Sequence, residues 1–241
     1  MDISSMDIEA TGQLLGRWLR LAIDLWRENS RWMLWNLFLA WVPVVLAWWL
    51  FRRSPQRITR SIPWWLGAGV FVAFLPNAPY VITDLIHLVH DIRYGPVASY
   101  WTVVLLIIPQ YVVFVVVGFA AYLLSLIWLG DWLRAIGWQD RIPWVEQGLH
   151  GLSAIGVFLG RFWRFNSWDL ITQPDTLLDR VTTDLGARRP LATIGLIWVI
   201  LAILYALSQP LALGYRLYRQ QQRQLKHQGR SPRRRQCDRP V

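Results

Sequence analysis

The chain has 241 residues, of which 54% are apolar and only 17% charged, and its formal net charge is +10. Soluble globular proteins carry roughly a quarter of their residues as charges, so this composition excludes an ordinary soluble domain. The positive charge does not point to nucleic acid either, because the basic residues gather in loops and at the C-terminal end rather than on a folded face.

The apolar residues come in long blocks flanked by many of the 17 tryptophans. Trp32, Trp35, Trp48, Trp49, Trp64, Trp65, Trp101, Trp128 and Trp132 sit where indole rings favour the headgroup layer of a bilayer. The expected fold is an all-α transmembrane helix bundle of about five spans, with an interfacial N-terminal helix and short amphipathic connecting helices. Residues 1–31 form the interfacial segment. Leu14, Leu15, Trp18, Leu21, Ala22 and Leu25 share one side, with Arg17, Arg20, Asp24 and Arg27 largely on the other. The opening Met1, Asp2 and Ile3 lack the basic region of a cleavable signal peptide. Cys237 is the single cysteine, so no intrachain disulfide can form.

Residues 32–215 form the transmembrane domain. The first span is Trp32 to Phe51, interrupted by Asn36 and Pro43 and closed by Arg52, Arg53, Arg57 and Arg60. Ile62 to Pro79 gives a second, shorter span. Pro76 and Pro79 make a straight continuation unfavourable, and the chain is expected to break and restart there. Tyr100 to Gly130 is too long for one upright span and too short for two, which calls for tilt or a kink at Pro109. After a polar connection from Asp131 to Glu146, Gly148 to Phe162 is the fourth span, and Gly156 and Gly160 in it allow a neighbouring helix to approach closely. Leu177, Leu178, Val181 and Leu185 mark a short amphipathic helix with Asp175 as its N-cap and Gly186 as its stop. Leu191 to Leu213 is the fifth span.

Residues 216–241 form a disordered basic tail. Arg216, Arg219, Arg223, Lys226, Arg230, Arg233, Arg234, Arg235 and Arg239 follow directly on the last apolar block, an arrangement suited to anionic lipid headgroups. Alternate loops weighed by their Lys and Arg content place this tail in the cytoplasm.

A polar cluster interrupts the apolar pattern. With Asn77 capping a new helix, Tyr80, Asp84, His87 and Asp91 recur at spacings of four, three and four and share one face. The charge count puts this stripe on the extracytoplasmic side. The end of the fourth span reaches the same side with Arg161, Arg164, Asn166 and Asp169, groups that are costly to place near lipid.

Trp35-Asn36-Leu37, Leu75-Pro76-Asn77-Ala78-Pro79-Tyr80, Thr83-Asp84-Leu85-Ile86-His87, Gly160-Arg161-Phe162 and Asn166-Ser167-Trp168-Asp169 together resemble the signature of an uncharacterised bacterial membrane family, domain of unknown function 1361. The resemblance spans Trp35 to Leu213. It implies a polytopic protein of the bacterial inner membrane and no known reaction. Members of the family tend to have a further hydrophobic helix at the N-terminus, where this chain has the charged Leu14 to Trp26 segment.

Several readings of the cluster follow from the residue types. In a purely structural one, Asn77 and Asn166 or Ser167 cap helices, Asp84 pairs with Arg161 or Arg164, and His87 completes a hydrogen-bonded network. A membrane enzyme would use Asp84 and His87 as base and orienting partner, with Arg161 holding an anionic or lipid-linked substrate. A metal site would draw on Asp84 and His87, with Asp91 and Asp169 as further ligands, but no local motif supplies a full ligand set and no metal is assigned. A transporter or accessory subunit of a membrane complex would offer the polar face to a solute or a protein partner, with Asn36 and Gln110 inside spans. His90 and His150 fall outside the stripe. No cofactor or protein partner is legible, and the bilayer is the one partner that the composition requires.

Overall fold

The computed structural model describes residues 3–52, 61–94, 100–165 and 169–228, and every element in them is helical. Two units partition the chain, Met1–Trp198 and Val199–Val241.

Helix α1 runs from Ile3 to Ala47 and continues as a π-helical turn, Trp48–Arg52. No break separates the amphipathic N-terminal segment from the first apolar stretch, so the two are one helix. Helix α2 is Ile62–Phe74, with Pro63 in its first turn, where a missing N–H is harmless. The chain then bends in a short turn. Leu75 and Pro76 keep right-handed helical dihedrals, and helix α3, Asn77–Thr83, follows at once. A second bend at Asp84 leads into helix α4, Leu85–Tyr94.

The expected break and restart is therefore present as a short turn at Leu75 and Pro76, with helical dihedrals, between the end of α2 and the start of α3. Asn77 does not cap a new helix. It is the first residue of α3, after Pro76 at the cap position, and its amide donates to the carbonyl of Phe74, the last residue of α2, at 3.0 Å. Ala78, Pro79 and Val81 are buried, so α3 packs inside the unit rather than lying along a surface.

Helix α5, Tyr100–Thr102, passes through a π-helical stretch, Val103–Ile107, into helix α6, Ile108–Ala135. Pro109 sits at the start of α6, and the missing proline N–H explains the widened turns before it. Gly137, at φ 80°, ends α6: Trp138 N–H bonds the Leu133 carbonyl and Gly137 N–H bonds that of Arg134. This is the Schellman stop that glycine permits. Helix α7, Ile142–Phe162, has Pro143 in its first turn.

The short helices α8, Asp169–Thr172, and α9, Pro174–Asp184, follow. The residue preceding α9 is Gln173, and Asp175 sits in its first turn rather than at the cap. Helix α10 runs from Arg188 to Gln228, so the first part of the expected basic tail is helical in backbone. That accords with its Leu, Arg, Lys and Gln residues, all good helix formers.

In the first unit α1 runs antiparallel to the α2–α4 path. Gly67 of α2 lies against Trp49, whereas Asn36 meets Asp84 and Asn29 meets Asp91. Glycines permit the close contacts. A Cβ on Gly118 would lie 2.8 Å from Val81 Cγ1, and one on Gly156 would lie 2.5 Å from Pro76 Cγ. The Gly156–Gly160 spacing thus serves contact within the chain.

Aromatic clusters mark both ends of this packing. At one end, Phe51, Phe71, Trp64 and Trp132 pack edge-on or tilted with neighbouring centroids 5.3–5.5 Å apart, and Arg52 lies over Trp128. At the other, Trp32 packs on His87, Tyr111 and Phe114. Such ring pairs each contribute about 0.5–1.5 kcal/mol beyond burial. Four helical stretches are long and apolar enough to cross a membrane: Asn29–Arg52, Ile62–Arg93, Tyr100–Ala135 and Arg188–Pro210. The chain is therefore all-helical, with four such stretches rather than the five expected among its described residues.

Candidate functional site

The second bend leaves the Thr83 carbonyl outside the regular helical ladder, and two local bonds shape it. Thr83 Oγ1 donates back to the Tyr80 carbonyl at 2.7 Å, and His87 N–H bonds the Asp84 carbonyl at 2.9 Å. Arg161, in the last turn of α7, reaches across. Its Nη2 donates to the Thr83 carbonyl while its Nη1 lies 3.4 Å from Asp84 Oδ1. Gly160, beside it, makes room for the Tyr80 ring, over which the guanidinium sits at 5.6 Å.

The Asp84 side chain is only 2% exposed. Asn36 of α1 donates to Asp84 Oδ2 at 2.9 Å, and His87 Nε2 stands 4.0 Å from Oδ1. His87 itself is 51% exposed. A buried carboxylate is tolerated only when paired and hydrogen-bonded, and here three elements supply the partners.

These groups line one wall of a cavity of about 490 Å³. Trp32, Trp35 and Leu39 of α1, Pro76 and Asn77 at the turn between α2 and α3, Leu159 of α7 and Leu177 of α9 line it as well. Tyr80, Asp84, His87 and Arg161 are thus brought together. Asn77 also lines the cavity, whereas Asp91, Arg164 and Asp169 are not among its lining residues. Asp91 accepts from Asn29 at 3.1 Å and from Tyr111 at 3.0 Å, and ties α4 to α1 and α6. His90 Nδ1 is 4.0 Å from Asp91.

Arg164 is exposed and holds a left-handed backbone at φ 60°, turning the chain at the end of α7. Asp169 opens α8 and accepts from Thr172 at 3.3 Å. Asn166 and Ser167 lie outside the described residues. Asp84 and Asp91 both turn toward α1, where they meet Asn36 and Asn29, but only Tyr80, Asp84 and His87 of the stripe line the cavity. For the metal site, among the described residues no three His, Cys, Asp or Glu side chains gather as a metal would need.

Sequence reasoning missed a second polar group. The Tyr122 hydroxyl lies 2.7 Å from His150 Nδ1 and 3.5 Å from Ser153 Oγ, all three residues being buried between α6 and α7. Tyrosine in an apolar run and a histidine early in α7 gave no shared spacing from which this contact could be read.

Chemically, His87 is placed to exchange a proton with a bound hydroxyl or water beside Asp84. Arg161 is less suited to hold an anion, since its charge already faces Asp84 and its second nitrogen serves Thr83.

A family model described as "Protein of unknown function (DUF1361)" matches residues 35–204. No curated protein and no solved structure matches the chain.

Proposed function

The chain belongs to the DUF1361 family of proteins of unknown function, and from that premise we propose that it is a multi-pass membrane protein whose cavity binds the polar head of an amphipathic molecule at one edge of the bilayer. The observation that carries this reading is the cavity wall. Trp35, Leu39 and Leu159 line it together with Asn36, Asp84, His87 and Arg161, the mix of apolar surface and few convergent polar groups that suits a small ligand.

The aromatic ends support the depth assigned to it. Counted along α6, Tyr111 and Trp132 are about 32 Å apart at about 1.5 Å per residue, close to the hydrocarbon thickness. Asn36 lies one helical turn beyond Trp32 along α1, which sets Asp84 just inside the boundary. An amphiphile there keeps its head at the cavity and its chains in lipid.

Helix α7 supplies the fifth crossing in this reading. Its first residue, Ile142, sits beside Gly130 near the Trp132 end, and Arg161 near its last turn reaches Asp84 near the other. Glu146, His150 and Arg161 lower its hydropathy. With five crossings, the positive-inside rule directs the basic end of the chain to the cytoplasm, against anionic headgroups, and the cavity to the opposite face.

Native mass spectrometry of the full chain extracted in mild detergent tests the binding reading. The wild type should carry an amphiphile adduct that Leu39→Trp, which fills the cavity, lacks while remaining folded. A wild type bare in both detergent and lipid nanodiscs would sink it. The bond from Arg161 to the Thr83 carbonyl favours a second reading, in which the cluster is a latch holding α7 to the bend. A bare wild type whose Asp84 and Arg161 variants lose stability would leave that latch alone.

A further inference from the structure

We infer that the cavity selects amphiphiles whose head carries no net charge, zwitterionic or uncharged, and that Asp84 imposes this selection. The inference rests on the binding reading above and narrows it to a ligand class. Among the described residues that line the cavity, Asp84 and Arg161 are the only Asp, Glu, Lys or Arg side chains. They stand 3.4 Å apart, and their charges cancel.

A singly anionic head entering this space meets a guanidinium already compensated by a carboxylate and already donating to Thr83. It also meets Asp84 itself, a like charge competing for the same guanidinium, with no second Lys or Arg among the described lining residues to compensate the added anion. In a poorly solvated site such a juxtaposition is costly. A cationic head meets the mirror situation, because Asp84 is engaged by both Arg161 and the Asn36 amide. A head without net charge adds no uncompensated charge. Its hydroxyl or amide groups find the half-exposed His87 ring, while a zwitterion aligns its two charges against the Asp84–Arg161 dipole.

The test is a competition in native mass spectrometry at pH 8, above the ordinary histidine range. The purified full chain is offered equal amounts of phosphatidylethanolamine, diacylglycerol and phosphatidylglycerol with matched acyl chains. Only adducts lost in Leu39→Trp are counted, which removes lipid held by basic surface segments. Wild type should retain phosphatidylethanolamine or diacylglycerol over phosphatidylglycerol by at least about tenfold. Asp84→Asn, which leaves Arg161 uncompensated, should raise phosphatidylglycerol to parity or above.

Comparable cavity-dependent phosphatidylglycerol on the wild type overturns the inference, as does an unchanged ratio in Asp84→Asn. If Asp84→Asn fails to accumulate, the wild-type ratio decides alone. Absence of every cavity-dependent adduct overturns the binding reading instead.

Discussion

Arg161 acts at the scale of single residues, and its two jobs can be separated. Its charge compensates the buried Asp84, and its fork reaches the Thr83 carbonyl at the same time. Arg161→Gln removes the compensation and should cost about 3–5 kcal/mol, the usual penalty for stranding a buried charge. Arg161→Lys keeps the charge but not the planar fork, and should fall between the two. Thermal unfolding in detergent ranks the three proteins, and a lysine variant as stable as wild type would show that the Thr83 bond contributes little. Arg164 offers an opposite case. At φ 60° a side chain is strained, so Arg164→Gly should raise stability by about 1 kcal/mol, and an unchanged melting temperature would count against strain there. The residue types of this site were readable from sequence because Asp, His and Arg are conspicuous among apolar neighbours. The Asp84–Arg161 pairing was among the expected ones, but the further partners Asn36 and Thr83 were not, because no local spacing brings them to Asp84 and Arg161.

For the elements, glycine decides which helices touch. Gly156 faces Pro76 so closely that a methyl group would stand 2.5 Å from the ring, whereas nothing lies within 4 Å of a Cβ on Gly151. Gly156→Ala should therefore destabilise by about 1–3 kcal/mol, since a proline ring cannot yield. Gly151→Ala on the same helix should gain about 1 kcal/mol from helix propensity alone. Equal melting temperatures for the two variants would mean that α7 does not seat on the first bend. The existence of the apolar helices was legible because lipid-facing helices need no periodicity, only length. Their junctions were not. The sequence expected a break at Pro76, and α2 does end before it, but the immediate restart at Asn77, whose amide bonds the Phe74 carbonyl, could not be read from it. The same helix-forming residues that looked like a loose basic tail after Tyr215 continue α10 to Gln228, because charge alone does not stop a helix.

For the whole molecule, in the proposed multi-pass reading, the number of crossings turns on α7. By hydropathy alone this helix fails to qualify, because Glu146, His150 and Arg161 dilute it, yet His150 and Ser153 are buried against Tyr122 rather than offered to lipid. Polar groups satisfied within the protein cost a crossing helix far less than their hydropathy suggests. The distance it covers also fits: 21 residues rise about 32 Å, enough for the hydrocarbon layer. Reporters inserted at 136–141, before α7, and at 186–187, after α9, should therefore fall on opposite sides of the membrane. An alkaline phosphatase insertion should be active at the second site and silent at the first. Activity of the same sign at both sites would return α7 to one side, leave four crossings, and remove the assignment of the cavity to the face opposite the basic tail. It would leave the Asp84–Arg161 pair where it is, because that pair is set by contacts between α3 and α7 and not by the side on which they lie.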